Sequence, residues 1–476
     1  MKNNCKREGE MQHPGPSSPA PLTLLGLAGP LFLSQLVQTV ILTIDTLMLS
    51  QYSDLAVAAV GTVSQLLTTV NLLFGFATVG AGIIMSQLNG SGKRAEAAVV
   101  ARTAIIANLL LGGIASIVLF LFPEPILHAI SLPKELMQYG TVYLSVTGLA
   151  SIATAFIMTA EMTLRMNGMV KRMLLLSFTM VSLNTLGNYL VLFEPFGLPS
   201  YGVEGVAWVT FGSKLLGVAL AVVLLIRAMG QALFRGKGLL FRLADVREIF
   251  KLGIPSAGEN LSYSASQVVI MMIVTLLGTT AINTKIYTQT LTGYIFLISV
   301  SIGQATSIII GHLIGAGKPE SAKTVGLRHL RIGLLISCSV NLLLYLLSKP
   351  LLGLFTADSH VINMSSNLIL LSVLLESARA CNVIMIASLN ASGEVKYPVM
   401  LGLIMMWGVS VPAAYLFGIV WGYGIYGIWL AFIIDEWIRA CLMLRRWKSE
   451  KWREIRLSAL DPKYRYSELQ SDVEAG

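Results

Sequence analysis

Charge is what this chain of 476 residues has least of. Asp, Glu, Lys and Arg make up 12% of it, against 55% apolar and aromatic residues. An ordinary soluble domain is roughly 25% charged. A folded soluble protein needs a wettable exterior, and 34 basic and 25 acidic side chains do not supply one for a chain of this length. A soluble enzyme, a nucleic-acid module, a disordered scaffold and a secreted disulfide protein are excluded on this ground. Cysteine is scarce as well. Cys5, Cys338, Cys381 and Cys441 lie far apart, with no CxxC spacing, as expected of free thiols in a reducing interior. The five histidines form no ligand pair, so no metal centre is expected and no cofactor. No DxxxD pair of the kind that binds a metal pyrophosphate is present, which weighs against a membrane-embedded prenyltransferase. The turns GSGKRAEA and GAGKPESA lack the spacing of a phosphate loop and are expected to be simple links between helices. No catalytic residue is expected.

What the chain does have is long apolar runs. The mean hydropathy is +0.72. The runs reach about 20 residues or more without in-out alternation, which favours membrane helices over a β-barrel. Twelve spans are expected, near residues 24–50, 57–87, 99–122, 137–163, 173–194, 203–227, 249–277, 284–312, 328–348, 362–390, 398–420 and 424–444. The fold class is an all-α polytopic membrane protein. The first run follows a polar, proline-containing tail and has no small-residue cleavage site, so it reads as a span. Lys and Arg gather in alternate loops, which accounts for the net charge of +9 without invoking nucleic acid. One side carries Lys93, Arg94, Arg165, Lys171, Arg172, Lys318, Lys323 and Lys396. The opposite loops carry only Lys134 and Lys349. Both termini are therefore expected in the cytoplasm of a plasma-membrane protein.

The sequence repeats itself at one constant offset. Pro30 falls on Pro255. Leu88, Gly90, Gly92, Lys93 and Ala97 fall on Leu313, Gly315, Gly317, Lys318 and Ala322. Leu164, Gly168, Val170 and Lys171 fall on Leu389, Gly393, Val395 and Lys396. Matches at three places at the same offset point to a duplication. Six spans per half is an even number, so the halves point the same way, as two pseudo-symmetric bundles about an axis along the membrane normal. Secondary transporters of this parallel-repeat kind carry their substrate between the halves. The expected domains are a disordered cytoplasmic tail over 1–20, an N-terminal six-helix lobe over 21–228, a cytoplasmic linker over 229–248, a C-terminal lobe over 249–447, and a second cytoplasmic tail over 448–476.

An ionisable group inside a span is costly and marks a functional candidate. In the first half this is Asp45, the one acid of the first span. The fifth span carries Asn184 and Asn188, four apart and so on one helix face. At ~1.5 Å per residue these three groups reach similar depth. One carboxylate with two amide oxygens suits a proton or a sodium ion, the alternative being a polar cluster that ties helices together. The second half has Glu259 in the seventh span and Glu376, Arg379 and Asn382 in the tenth, candidates for the wall of a central cavity or for a neutralised structural network. Asp435 and Arg439 read as an intrahelical pair. Lys214 sits at mid-depth in the sixth span, a further cavity candidate without an assigned role. Glu161 beside Arg165 reads as structural. The twenty methionines suit a pocket that fits many shapes, and equally suit lipid-facing filler.

These features together resemble the multidrug and toxic compound extrusion family. They are Asp45 in an IDT context, the two Gly-Lys turns after spans two and eight, Asn184-xxx-Asn188, the LNASGEVKYP turn after span ten, and twelve spans in two similar halves. The resemblance covers residues 20–447. It implies an antiporter that exports amphipathic, often cationic, organic compounds in exchange for protons or sodium by alternating access. It also implies that Asp45, Asn184 and Asn188 match the family's cation site, with Thr210 at a further polar position of that site. Two positions depart from the pattern. Asn188 stands where some members have Asp. Tyr263 stands near where some members have an acid, and Glu259 lies one turn earlier. A lipid-linked oligosaccharide or polysaccharide flippase of related architecture is the alternative, for which a strongly basic cavity would be expected. Small organic molecules and the lipid bilayer are the expected partners, with neither nucleic acid nor an obligate protein partner.

Overall fold

A computed structural model of the chain describes residues 22–193, 201–230, 243–455 and 457. The proposed tails over 1–20 and 448–476 and the linker over 229–248 fall largely outside these residues. Twelve helical segments cross from one face of the molecule to the other: α1 (Leu24–Ser50), α2 (Asp54–Gly90), α3 (Arg94–Leu121), α4 (Lys134–Leu149 and Ser151–Met166), α5 (Val170–Leu192), α6 (Gly202–Met229), α7 (Leu243–Thr275), α8 (Thr279–Gly315), α9 (Pro319–Leu346), α10 (Ser359–Ala391), α11 (Lys396–Val420) and α12 (Gly424–Lys448). Among the described residues, nine of them are long and apolar enough to cross a bilayer, and the bent α4 makes a tenth. The other two fall short for different reasons. In α7, Glu259, Asn260, Ser262, Ser264 and Gln267 interrupt the apolar run, and in α12 charges lie inside the span, at Asp435, Glu436 and Arg439.

Local chemistry explains the irregular spans. Helix α4 bends by 47°. Ser116 Oγ of α3 accepts from the Ile152 amide at 3.0 Å and donates to the Leu149 carbonyl at 3.0 Å. A side chain inserted into the backbone ladder in this way kinks a helix without proline. In α11 two π-helical turns, Met406–Ser410 and Leu416–Val420, flank Pro412, which has no N–H for the regular ladder.

The core separates by depth. Both described chain ends and the Lys/Arg-rich turns lie at one face, here termed the tail face. One apolar cluster fills that half of the molecule and joins both halves of the chain. It takes in Leu31, Ile84, Leu88, Ala104 and Leu164 together with Ile249, Ile308, Ile310, Leu389 and Met443. At the far face no cluster joins the halves; beside a small one around Leu291, Leu352 and Ile369 there are two larger clusters. One contains only residues of the first half, such as Val63, Leu127, Leu144 and Ala207. The other contains only residues of the second half, such as Val274, Leu368, Ile428 and Trp429. The halves are thus packed together at the tail face and part towards the far face.

The repeat shows why. At the tail face α2 crosses α8 with backbones in contact. A Cβ on Gly90 would lie 2.1 Å from the His312 carbonyl oxygen, and a Cβ on Gly315 would lie 1.8 Å from the Gln87 carbonyl oxygen. Gly90 and Gly315 are equivalent positions of the repeat, as are Gln87 and His312, so this crossing sits on the pseudo-two-fold axis. Helix α2 meets α7 with equal closeness through Gly80 and Gly253. Only glycine permits such approaches. Of the hydrogen bonds between the halves among the described residues, the one farthest from the tail face is Gln35 Nε2 of α1 donating to Ser301 Oγ of α8 at 2.8 Å.

Candidate functional site

Helices α1, α5 and α6 bring the first polar cluster together in the far half. Asn188 Nδ2 donates to Asp45 Oδ1 at 3.2 Å and to Asn184 Oδ1 at 3.4 Å. Asn184 Nδ2 donates to Thr210 Oγ1 at 3.2 Å, and Thr210 Oγ1 donates to the Val206 carbonyl at 2.9 Å. The four residues that the sequence assigns to one site therefore form one hydrogen-bonded chain. Asn188 is 2% exposed, and its Oδ1 has no hydrogen-bond partner. A buried amide oxygen without a donor costs about 1–3 kcal/mol. It is available to a cation or a proton-bearing group beside a carboxylate. Tyr143, missed in the sequence, is buried here beside Ser64, Thr210 and Asp45. Nothing in its local sequence distinguishes it from a membrane-interface tyrosine.

The second cluster lies between α10 and α12. Arg379 Nη1 donates to Glu376 Oε1 at 2.8 Å, and Arg379 Nε lies 3.6 Å from Glu436 Oε1. Arg439 Nη2 bonds Glu436 Oε1 at 2.9 Å and Asp435 Oδ2 at 2.6 Å. Asn382 Nδ2 donates to Glu436 Oε2 at 2.6 Å. The sequence reading missed Glu436, which is the residue that joins the two helices. Its spacing of three from Arg439 was the available signal. Asp435 and Arg439 form the expected pair, but within this larger chain. Glu376 is 0% exposed, so it lies inside the network and does not line an open wall. The network joins three acids to two arginines. Burying such a chain is tolerated only because each charge has partners.

The remaining candidates are not drawn into either cluster. Glu259 packs its carboxylate on Gly402 of α11, where an added Cβ would lie 2.5 Å from Oε1. Tyr263 is 38% exposed on α7. Among the described residues, neither Tyr263 nor Lys214 of α6 makes a side-chain hydrogen bond or ion pair. Lys285 of α8 is 3% exposed and lies 3.7 Å from the Met271 sulfur. Glu161 accepts from Ser177 Oγ at 2.7 Å, in keeping with a structural part.

The parting bundles also expose a feature that single ionisable residues did not reveal. Helices α1 and α2 expose Thr39, Thr43, Thr62, Gln65 and Thr69, and helices α7 and α8 expose Asn260, Ser264 and Thr290. Thr39 and Ser264 are repeat equivalents, as are Gln65 and Thr290. These polar groups stand on the four helices that meet between the halves, beyond the Gln35–Ser301 contact. Polar side chains inside a membrane span face a watery space in preference to lipid. Their spacing of three and four along α1, α2 and α7 was legible in the sequence. Most of their hydroxyls bond back to the carbonyl four residues earlier, as Thr43 does to Thr39 at 3.1 Å.

Comparison with known proteins agrees with this architecture. The profile of the MatE family matches residues 30–190 and again 255–416, two matches that begin at the repeat-equivalent prolines Pro30 and Pro255. The chain is 39% identical over 430 residues to the uncharacterized transporter YisQ of Bacillus subtilis (strain 168), covering 90% of this chain and 94% of that protein. It is 24% identical over 435 residues to the multidrug resistance protein PmpM of Pseudomonas aeruginosa, covering 89% and 91%. An outward-facing multidrug resistance MATE family transporter of the MOP superfamily superimposes with a TM-score of 0.81 at 19% identity, over 92% of this chain and 96% of that one. A MOP superfamily transporter from Pyrococcus furiosus superimposes with a TM-score of 0.79, also at 19% identity. A twelve-helix membrane protein of two similar halves, matched by the family profile in each, belongs to the multidrug and toxic compound extrusion family of transporters.

Proposed function

We propose that the protein is a secondary antiporter that exports amphipathic, often cationic, organic compounds and takes up a proton or a sodium ion in exchange. The observation that carries this reading is the Asp45–Asn188–Asn184–Thr210 chain. It is a lone carboxylate inside a span, bonded to an amide whose carbonyl oxygen is buried and unpartnered. A carrier that reads an ion gradient needs one group whose charge or occupancy changes between states, and Asp45 supplies it. A proton needs one anionic group and sodium prefers several oxygen ligands, so the single acid favours the proton.

Residues 21–228 and 249–447 serve as the two moving lobes, and the basic tail face lies in the cytoplasm. With that sidedness the packed tail face and parted far face correspond to an outward-facing state. The stripe Thr39, Thr43, Thr62, Gln65, Asn260, Ser264 and Thr290 lines the opened path. Glu259, Tyr263 and the Arg379–Glu436 network border it from the C-terminal lobe and bear on which compounds are moved. A flippase for lipid-linked sugars is disfavoured, because Arg379 is paired with acids and Lys285 is buried, which leaves Lys214 alone of the three and not a strongly basic wall among the described residues. The test is export of a fluorescent organic cation by reconstituted vesicles under separately imposed proton and sodium gradients. Export driven by one gradient supports antiport, and export indifferent to both sinks it.

A further inference from the structure

The tail-face crossing carries two side-chain contacts that the repeat relates to each other. Gln87 Nε2 of α2 donates to the Ala391 carbonyl, the last helical residue of α10, at 2.6 Å. His312 Nε2 of α8 bonds the Met166 carbonyl, the last helical residue of α4, at 2.9 Å. A carbonyl only accepts, so His312 bears a proton on Nε2. Gln87 and His312 are repeat equivalents, and so are Met166 and Ala391. Each bond runs from one half of the chain to the other. The two are therefore one contact made twice about the pseudo-two-fold axis, with different side chains performing the same act.

The acceptors explain why the contact is well placed. The last carbonyls of a helix have no partner within it, and a helix C-terminus carries partial negative charge. A donor brought from the opposing half satisfies both needs, but only while the halves are together. Gln87 is 2% exposed, so the donor it presents has no water to fall back on. Met166 also accepts from Asn89 Nδ2 of its own half at 3.0 Å. That helix end therefore keeps one donor when His312 leaves, and the opened state is not left with a bare carbonyl there. Gly168 and Gly393, with φ of +73° and +92°, turn the chain just past these two helix ends, and Gly92 and Gly317, with φ of +78° and +71°, do the same after α2 and α8.

We propose that Gln87 and His312 are paired latches that hold the tail face closed, and that their release accompanies each opening towards that side. They are positioning residues for alternating access and touch neither the ion nor the substrate. The proposal rests on transport by movement of the two halves, and its test does not require transport to be seen.

Spin labels at Lys171→Cys and Lys396→Cys, exposed repeat equivalents at the tail face, report the separation of the halves in the full-length protein in nanodiscs. The native cysteines are replaced in this background. The parent should show mainly the short distance. His312→Ala or Gln87→Ala should add a longer one, with the open-to-closed ratio raised roughly five- to tenfold, as the loss of one hydrogen bond implies. His312→Gln, which installs the donor of the twin position, should restore the parent distribution. Should an alanine variant be lost from the membrane, the interchange of Gln87→His with His312→Gln keeps the test, since both donors are retained: parental distances support the latches, and opened distances overturn them. Unchanged distances in both alanine variants, or opening in His312→Gln equal to that in His312→Ala, would also overturn the proposal. Failure of the coupling reading would appear separately, as gradient-indifferent export with normal distances.

Discussion

Replacing Gly315 by alanine should force the tail face open. The added methyl would lie 1.8 Å from the Gln87 carbonyl oxygen and 2.7 Å from its carbon. Those are backbone atoms of α2 and cannot rotate aside. The helices must part by about 1.5 Å before the contact becomes ordinary. Overpacking of this kind costs about 1–3 kcal/mol. Here the strain is confined to the closed state and vanishes when the halves separate. The open-to-closed ratio should then rise roughly 5- to 150-fold. Gly90→Ala should act in the same direction, since its methyl would meet the His312 carbonyl at 2.1 Å. Gly317→Ala is the control. Nothing lies near its Cβ, but its φ is +71°, so the change costs about 1–2 kcal/mol within the turn and leaves the halves together. The assay is labelling of a single cysteine at Ser301, 1% exposed between the halves, by a hydrophilic maleimide added at the tail face. Gly315→Ala should label much faster than the parent, and Gly317→Ala at the parent rate. Parent-like labelling of Gly315→Ala would refute the account of the crossing.

Two further outcomes are expected. Glu436→Gln should disturb the protein more than Glu376→Gln. Glu436 bonds Arg379, Arg439 and Asn382, whereas Glu376 bonds Arg379 alone. A loss of about 3–5 kcal/mol is typical when one partner of a buried ion pair is removed, and it is read as a larger fall in melting temperature. Equal falls would show that Glu436 is not the joint of the network. A cysteine at Lys171, exposed at the tail face, should react with an impermeant reagent only after cells are opened. Reaction in intact cells would reverse the sidedness.

Much of this was legible in the sequence, for physical reasons that also mark where legibility stopped. Apolar run length gives the spans, because a bilayer demands it of each helix separately. The repeat was visible where backbone geometry tolerates few residues, at Gly90 and Gly315 in the crossing and at the positive-φ turns after it. Asp45, Asn184, Asn188 and Thr210 stand out in the sequence as polar groups at similar depth or through the family resemblance, and the structure links them. The latches were hidden by the same repeat that carries them. Gln87 and His312 are not identical, and equivalence of role between an amide and an imidazole appears only when both are seen to meet a helix end. Glu436 was missed because a second acid beside Asp435 resembles charge near the end of a span until α10 is packed against it. The bend in α4 depends on Ser116 of another helix, so no property of its own sequence announces it.

The central claim is that Asp45 exchanges the driving ion for substrate. Asp45→Asn keeps the size of the side chain and its hydrogen bonding to Asn188 but removes the exchangeable charge. The decisive measurement is uphill export of a fluorescent organic cation from vesicles containing correctly inserted Asp45→Asn protein, with the coupling gradient imposed. The account predicts that binding of the compound persists and that gradient-driven export is lost. Export at the parental rate against the compound's own gradient would contradict it.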